Sequence, residues 1–275
     1  MLYRLPLYLA FICISGCRAV PKIGLLPKEG RPGGSAFYER TAAMNSQQRD
    51  SVVLEELEAG NLPAFLYRLV PVTVHATDST TGRHHTLTYF VTPDYFSIGN
   101  SADWARVPVM PGTAQQIADK LDCILPTRKM TDDIYRAATV KLAPVPMYAL
   151  RDSTPTCWQH HLIIEGQRQG RTGLIAGIKK DIVSSPALLQ DKRKNRVAIY
   201  GWHRLNGIPI QPLYTGHVDW YVDYSHGLRL VAKRMRLDKK WVDCAIIFND
   251  PQLRKLVSDE PGTGIVRYPV PGQMN

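Results

Sequence analysis

Between Tyr200 and Arg229 the chain gathers His203, His217, Asp223, Ser225, His226 and Arg229, with Tyr214, Asp219, Trp220, Tyr221 and Tyr224 among them. Three of the eight histidines fall in this stretch. The residue types supply a general base, a carboxylate to orient it, a hydroxyl nucleophile and a cation for a developing oxyanion. Turn signals at Asn206-Gly207, Pro209, Pro212 and Gly216 break the stretch into short pieces. Its polar groups are therefore expected on loops held by a sheet, where binding and catalytic residues concentrate. The alternative is structural, because Tyr, Trp and His at strand ends also cap cores and satisfy backbone groups. His217-x5-Asp223-x2-His226, with His203 as a fourth ligand, offers donors that zinc accepts. That spacing is not a helical zinc motif, and His-Glu-x-x-His occurs nowhere, so no cofactor or metal is expected, with zinc as the alternative. No glycine-rich phosphate loop or nucleotide fingerprint is present.

Within the stretch, Ser225-His226-Gly227-Leu228-Arg229-Leu230 resembles the catalytic signature of L,D-transpeptidases, which reads Ser-His-Gly-Cys, an aliphatic residue, then Arg. In that family an upstream strand ends in a histidine, as Val197 to His203 does here in sequence order. The resemblance spans residues 197–230 and implies an exported, cell-wall-directed protein. It breaks at the nucleophile: Leu228 stands where the family has cysteine, and Cys123, Cys157 and Cys244 all lie outside the motif. Transpeptidation through a thioester is not carried over. Leu125 to Met130 and Tyr221 to Gly227 also resemble a set of uncharacterised secreted bacterial lipoproteins, which implies export and brings no activity with it.

The beginning of the chain points the same way. Arg4 precedes an uncharged apolar run from Leu5 to Ile14, too short to span a bilayer but the length of a signal-peptide core. It ends in Ile14-Ser15-Gly16-Cys17, which resembles the lipobox of bacterial lipoproteins. That resemblance implies cleavage after residue 16 and lipidation of Cys17; an ordinary secretory signal cut after Ala19 is the alternative. Either places the body outside the cytoplasm, in the cell envelope or secreted. Residues 17–35 are rich in proline and glycine and are expected to form an anchor and flexible tether.

With 275 residues, 44% hydrophobic and 21% charged, the chain can bury an ordinary core. The formal charge is +10, concentrated in Lys179-Lys180, in Lys192-Arg193-Lys194 with Arg196, and in Lys233-Arg234 with Arg236, Lys239 and Lys240. A basic surface attracts anionic polymers. For an exported protein these are envelope polymers and lipid headgroups. No aromatic residues interleave with the runs as a nucleic-acid stacking platform requires, so nucleic acid is not an expected partner. Apart from Cys13 and Cys17 three cysteines remain, an odd number that rules out a full disulfide framework; one bridge or three buried thiols remain open.

The positioning elements read as follows. Ser46 to Ala59 is an amphipathic helix opened by Ser46; Tyr67 to Thr77 and His84 to Val91 form a hairpin. Thr113 with Gln116 reads as a capping box, and Thr127 opens a helix carrying Ile134, Tyr135 and Ala138. Residues 142–155, with three prolines, separate a helix-rich region, 36–142, from a sheet-rich one, 156–275. The latter holds a helix from Pro155 to Gln169 and core strands at Gly173 to Val183 and Arg196 to Trp202. It continues with a hairpin at Asn206-Gly207, a short strand at Leu228 to Ala232 and closing helices at Val242 to Phe248 and Pro251 to Val257. The two regions could equally form one domain. The fold expected is α+β and loop-rich, a mixed or antiparallel sheet with peripheral helices. The function expected is a lipid-anchored envelope hydrolase or transferase acting on cell wall or polysaccharide. His203, His217 or His226 would be its base, Ser225 its nucleophile and Arg229 its oxyanion partner. Its rival is a non-catalytic lipoprotein that binds an anionic envelope polymer or a partner protein.

The anchor is directly testable. In a bacterial host, Cys17→Ser should abolish incorporation of labelled lipid and move the chain out of the membrane fraction; labelling and partition unchanged by the substitution count against lipidation.

Overall fold

The computed structural model describes residues 20–25 and 27–269; the signal-like segment and Cys17 lie outside the described residues. The fold is α+β. Strands β1 (Val70–Thr77) and β2 (His84–Val91) form the expected hairpin, in register from Val70↔Val91 to Thr77↔His84. Two small strands, β3 (Ser97–Gly99) and β4 (Trp104–Arg106), pair with each other. They are followed by β5 (Cys123–Ile124) and β6 (Val140–Lys141). After the proline-rich crossing come β7 (Ile175–Ala176), β8 (Lys180–Ile182), β9 (Ile199–His203), β10 (Pro209–Tyr214), β11 (His226–Gly227), β12 (Val231–Ala232), β13 (Arg234–Leu237) and β14 (Lys240–Asp243).

The larger sheet has the order β14-β13-β2-β12-β5, with β1 on the other edge of β2. Strands from both sides of the proline-rich crossing therefore share one sheet, and the core runs through it. A second sheet, β10-β9-β8-β11, carries the residues of interest; β11 runs parallel to β8 and the other pairs are antiparallel. The β13–β14 hairpin turns through Asp238 and Lys239, both at positive φ, a pairing that matches the twist of the strands. Its basic run reads only as charge in the sequence.

Helices α1 (Gly34–Thr41), α2 (Ser46–Glu58), α3 (Pro111–Lys120), α4 (Arg128–Ala137), α5 (Thr154–Arg168), α6 (Ala187–Gln190) and α7 (Cys244–Asn249) surround the sheets. Their caps correct the expected ones. Asn45, not Ser46, caps α2 in a full capping box with Gln48. The helix expected from Thr113 starts earlier, at Pro111, where a missing N–H costs nothing. Thr127 caps α4 as its sequence predicts. The stretch expected as a loose tether lies on the body where it is described. Ile23 is buried, Gly24 N–H donates to the Leu121 carbonyl and Lys28 N–H to the Gly60 carbonyl. Burial of Ile23 and backbone bonds of this kind offset the turn-rich composition. Cys123, Cys157 and Cys244 are free and buried.

Helix α4 is what joins the two sheets. Met130 and Ile134 pack with Val72, Val74, Leu87, Tyr89 and Val91 of the larger one. Asp132 and Tyr135 instead meet side chains of β9. Close approach is possible because residue 201 is glycine, at φ +106; a Cβ there would lie 3.1 Å from the Thr131 methyl. Trp202 follows at φ +57, a left-handed conformation uncommon for a bulky residue, and it turns the end of β9 just before His203.

Helix α5 is fixed by charge. The buried Arg106 guanidinium donates to Asp94 from Nε (2.8 Å) and Nη2 (2.5 Å) and to Glu165 from Nη1 (2.8 Å). Arg106→Met would leave Asp94 without its buried counter-ion, so a loss of about 3–5 kcal/mol is expected in denaturant unfolding. A loss below about 1 kcal/mol would show the pair to be dispensable.

Candidate functional site

The structure divides the sequence cluster into two places. The first gathers His217, Tyr221, Asp223, Ser225 and His226, all from the sequence cluster, and adds Arg151 and Lys180. Asp223 is buried, and its carboxylate accepts from the Ser225 amide (2.8 Å), the Ser225 hydroxyl (2.5 Å), Tyr221 OH (3.2 Å) and Arg151 (3.0 Å). Burial alone would raise the Asp223 carboxyl, but the His226 ring, the Ser225 donors and the Lys180 charge hold it below the usual carboxylate range. The tight local turn explains why these residues meet: Asp223 and Ser225 are two apart, and the His226 N–H closes onto the Asp223 carbonyl.

His226 is fully enclosed. Its Nδ1 accepts from the Asp223 backbone N–H (3.3 Å), which places the proton of the neutral ring on Nε2. That Nε2 is buried with no hydrogen-bond partner, beside the rings of His217 (6.1 Å between centroids) and Tyr221 (6.0 Å). An orphaned donor of this kind costs about 1–3 kcal/mol. Burial pushes His226 down to about 4, and the neighbouring Lys180, His217 and Lys179 add to the effect against Asp223. His217, half-buried, is lowered by burial and by Lys180. Lys180 sits directly across from His226 in the β8–β11 pairing, with its ammonium 5.1 Å from the Trp202 ring centroid. Burial lowers it also.

Ser225, expected as a nucleophile, is engaged by Asp223 rather than by a histidine. Its hydroxyl proton is given to Asp223, and no imidazole nitrogen lies within hydrogen-bonding distance of it. Arg229, expected as an oxyanion partner, is likewise committed elsewhere. It is buried, donates to the Thr92 and Ile175 carbonyls (2.8 and 2.6 Å), and lies over the Tyr95 ring at 4.2 Å. Leu228, at the position of the transpeptidase cysteine, is buried in the core.

His203 forms the second place, with partners that no local pattern pointed to. Its Nε2 meets Asp132 Oδ1 at 2.8 Å, and Tyr200 OH reaches both oxygens of the same carboxylate at 3.0 and 3.1 Å. The imidazole stacks on Tyr135, 4.5 Å between centroids and 17° between planes. The Tyr135 hydroxyl is itself tied to the Arg204 carbonyl at 2.7 Å. Burial would raise Asp132, but His203 and Tyr200 hold it below the usual range. An ionised carboxylate on Nε2 fixes the proton there and leaves Nδ1 as a lone pair, which makes no hydrogen bond among the described residues. The dyad lines a cavity of about 410 Å³ shared with Lys141, Arg136, Asn206 and Tyr200. Asp132 lies 71 residues before His203, so its signal in the sequence was limited to its place on a capped helix.

Side chains alternate along a strand. Lys180 and Asp181 are successive in β8; Asp181 is paired with Tyr200, whose hydroxyl holds Asp132, and lies within reach of the charges of His203 and Asp132, whereas Lys180 lies within reach of those of Asp223 and Arg151. The Lys180–His226 cluster and the His203 cavity thus lie on opposite faces of the same sheet.

Other expectations are revised by burial. Lys179 and Lys180 are not part of a basic surface. Lys179 is enclosed, donating to the Tyr224 carbonyl and lying 3.4 Å from His160 Nδ1, and burial pushes it down to about 8. Lys192, Arg193, Lys194, Arg234, Lys239 and Lys240 remain exposed. Among the described residues no group of three or more His, Cys, Asp or Glu side chains is placed to hold a metal ion. The His217–Asp223–His226 zinc arrangement meets a physical obstacle: one His226 nitrogen and both Asp223 oxygens are already engaged. Among the described residues no helix is long and apolar enough to cross a membrane. No protein-family model, curated protein or solved structure matches this chain.

Three buried histidines make the fold acid-sensitive. His160 and His161 are pushed down to about 2 by burial and neighbouring cations, and His226 to about 4. An unfolded histidine takes up its proton near pH 6.5, before the folded one does. Stability is therefore full above that pH and falls as pH drops from about 6.5 through 4 and below. For His226 alone the shift corresponds to about 3 kcal/mol, fully lost only below pH 4. Denaturant unfolding at pH 7 and pH 5 should show the lower stability at pH 5, and His226→Gln should reduce the difference; equal stability at both would mean these rings are not held neutral.

Proposed function

We propose that this chain is an exported, lipid-anchored hydrolase or transferase that cleaves or transfers an ester linkage in an anionic cell-envelope polymer, with His203 as its general base. The observation that carries this is the Asp132–His203 pair lining the 410 Å³ cavity. A carboxylate on one imidazole nitrogen and a free lone pair on the other is the arrangement that general-base chemistry needs. Because Ser225 is committed to Asp223, the attacking group is water or an acceptor hydroxyl of the substrate. In the step envisaged, His203 Nδ1 takes the proton from that hydroxyl as its oxygen bonds to the ester carbon or phosphorus. The imidazolium, stabilised by Asp132, then returns the proton to the departing alkoxide as the ester bond breaks. Tyr135 keeps the ring in plane, Tyr200 keeps the carboxylate aimed, and Lys141 and Arg136 supply positive charge for an anionic substrate. Export and the anchor at Cys17 rest on the signal-like segment, and they place the enzyme beside such polymers.

The exposed basic residues support a second reading, non-catalytic binding of the same class of polymer. Lys192, Arg193 and Lys194 form one run, and Arg234 lies beside Trp241 and Lys22 in a shallow cavity of about 370 Å³. Its signature is binding that weakens steeply with salt, without release of product.

The deciding measurement is product release from purified cell-wall and polysaccharide preparations. His203→Ala is expected to lower the rate about a hundredfold to ten-thousandfold. Asp132→Asn, which keeps the shape and removes the charge, is also expected to lose most of the rate. Thermal unfolding should confirm that both variants still fold. Release by folded His203→Ala at the wild-type rate, or none from the wild type, would overturn the proposal.

A further inference from the structure

Away from the cavity, on the other face of the same sheet, two donors are built into the fold without acceptors. One is the Nε2–H of His226, which is 1% exposed and has no partner. The other is the Lys180 ammonium: the residue is 6% exposed, yet among the described residues the nitrogen makes no hydrogen bond or ion pair and only lies over the Trp202 ring. The two side chains are register partners in adjacent parallel strands. Arg151 joins them, half of its guanidinium spent on Asp223 and its side chain 43% exposed. The one carboxylate in the group, Asp223, has both oxygens engaged by Arg151, Tyr221 and Ser225, so its charge is largely met before any ligand arrives. What is left over is positive charge and N–H donors facing no acceptor. Folded proteins rarely leave buried donors unpaired, and neighbouring donors around residual positive charge are complementary to an oxyanion.

We propose that Lys180, Arg151 and the Nε2–H of His226 form an oxyanion-binding site that takes a carboxylate or a phosphate group. This site is separate from the His203 cavity and does not depend on the catalytic reading of that cavity. His226 lends a neutral donor, which adds a hydrogen bond without adding charge. Lys180 and Arg151 supply the attraction, and Asp223 holds Arg151 and the His226 turn in place. An envelope polymer carrying either group would thereby be gripped on one face of the sheet while the other face remains free.

Titration calorimetry of the full chain with two probes, inorganic phosphate and acetate, tests this and separates the two ligand classes. At low ionic strength the wild type should bind at least one of them saturably. Lys180→Met should weaken that binding tenfold or more, whereas Lys120→Met, at an exposed ion pair on α3, should leave it unchanged. Failure of the wild type to bind either probe, or equal binding by folded Lys180→Met, overturns the site. Should Lys180→Met not fold, the nuclear magnetic resonance signal of the His226 Nε2–H in the wild type decides. A saturable shift on adding phosphate or acetate supports the site, and an unmoved signal with both overturns it. Product release plays no part in these outcomes, so the site can fail while the His203 proposal stands, and the reverse.

Discussion

Among the described residues, Arg49, Arg106 and Arg229 are the largest side chains buried completely. A guanidinium keeps its charge inside a protein, so each of them needs acceptors from the segments packed around it. Arg106 finds Asp94 and Glu165. Arg229 finds the Thr92 and Ile175 carbonyls and the face of Tyr95, and Arg49 the Pro108 carbonyl, the Thr154 hydroxyl and the Cys157 sulfur. Every one of these sets joins segments from the two sides of the proline-rich crossing. The cost of stranding a buried cation thus ties the segments around the early hairpin to those that follow the crossing.

The β10-β9-β8-β11 sheet separates two kinds of chemistry. On the α4 side, His203 is clamped between a carboxylate and an aromatic face beside a cavity, with the backbone of β9 bent at Gly201 and Trp202 to aim it. Residues in sparsely populated backbone regions persist only where the surroundings hold them, and such strain gathers at functional sites. On the other side, the Asp223 turn presents His226 and Lys180 with donors to spare. Close packing leaves little freedom between them: a Cβ on Gly227 would stand 2.6 Å from both the Lys179 side chain and the Tyr95 ring. Only glycine lets β11 lie against β8 closely enough to set His226 beside Lys180.

What the sequence by itself determined was local. The β1–β2 hairpin, the Thr127 cap, the helix from Thr154 and the turn at Asn206-Gly207 were all legible because periodicity and turn chemistry act over a few residues. The Asp223–Ser225–His226 group was legible for the same reason, its members being neighbours in the chain. Tertiary structure decided the roles. It gave His203 a carboxylate 71 residues away, and it turned Ser225 from a nucleophile into a donor for Asp223. Arg229 became a strut for two carbonyls, and Lys179-Lys180 left the surface for the interior. The physical reason is common to all four. A polar side chain's chemistry is set by which acceptor or donor is left over once its buried neighbours are satisfied, and that balance exists only when distant segments have packed.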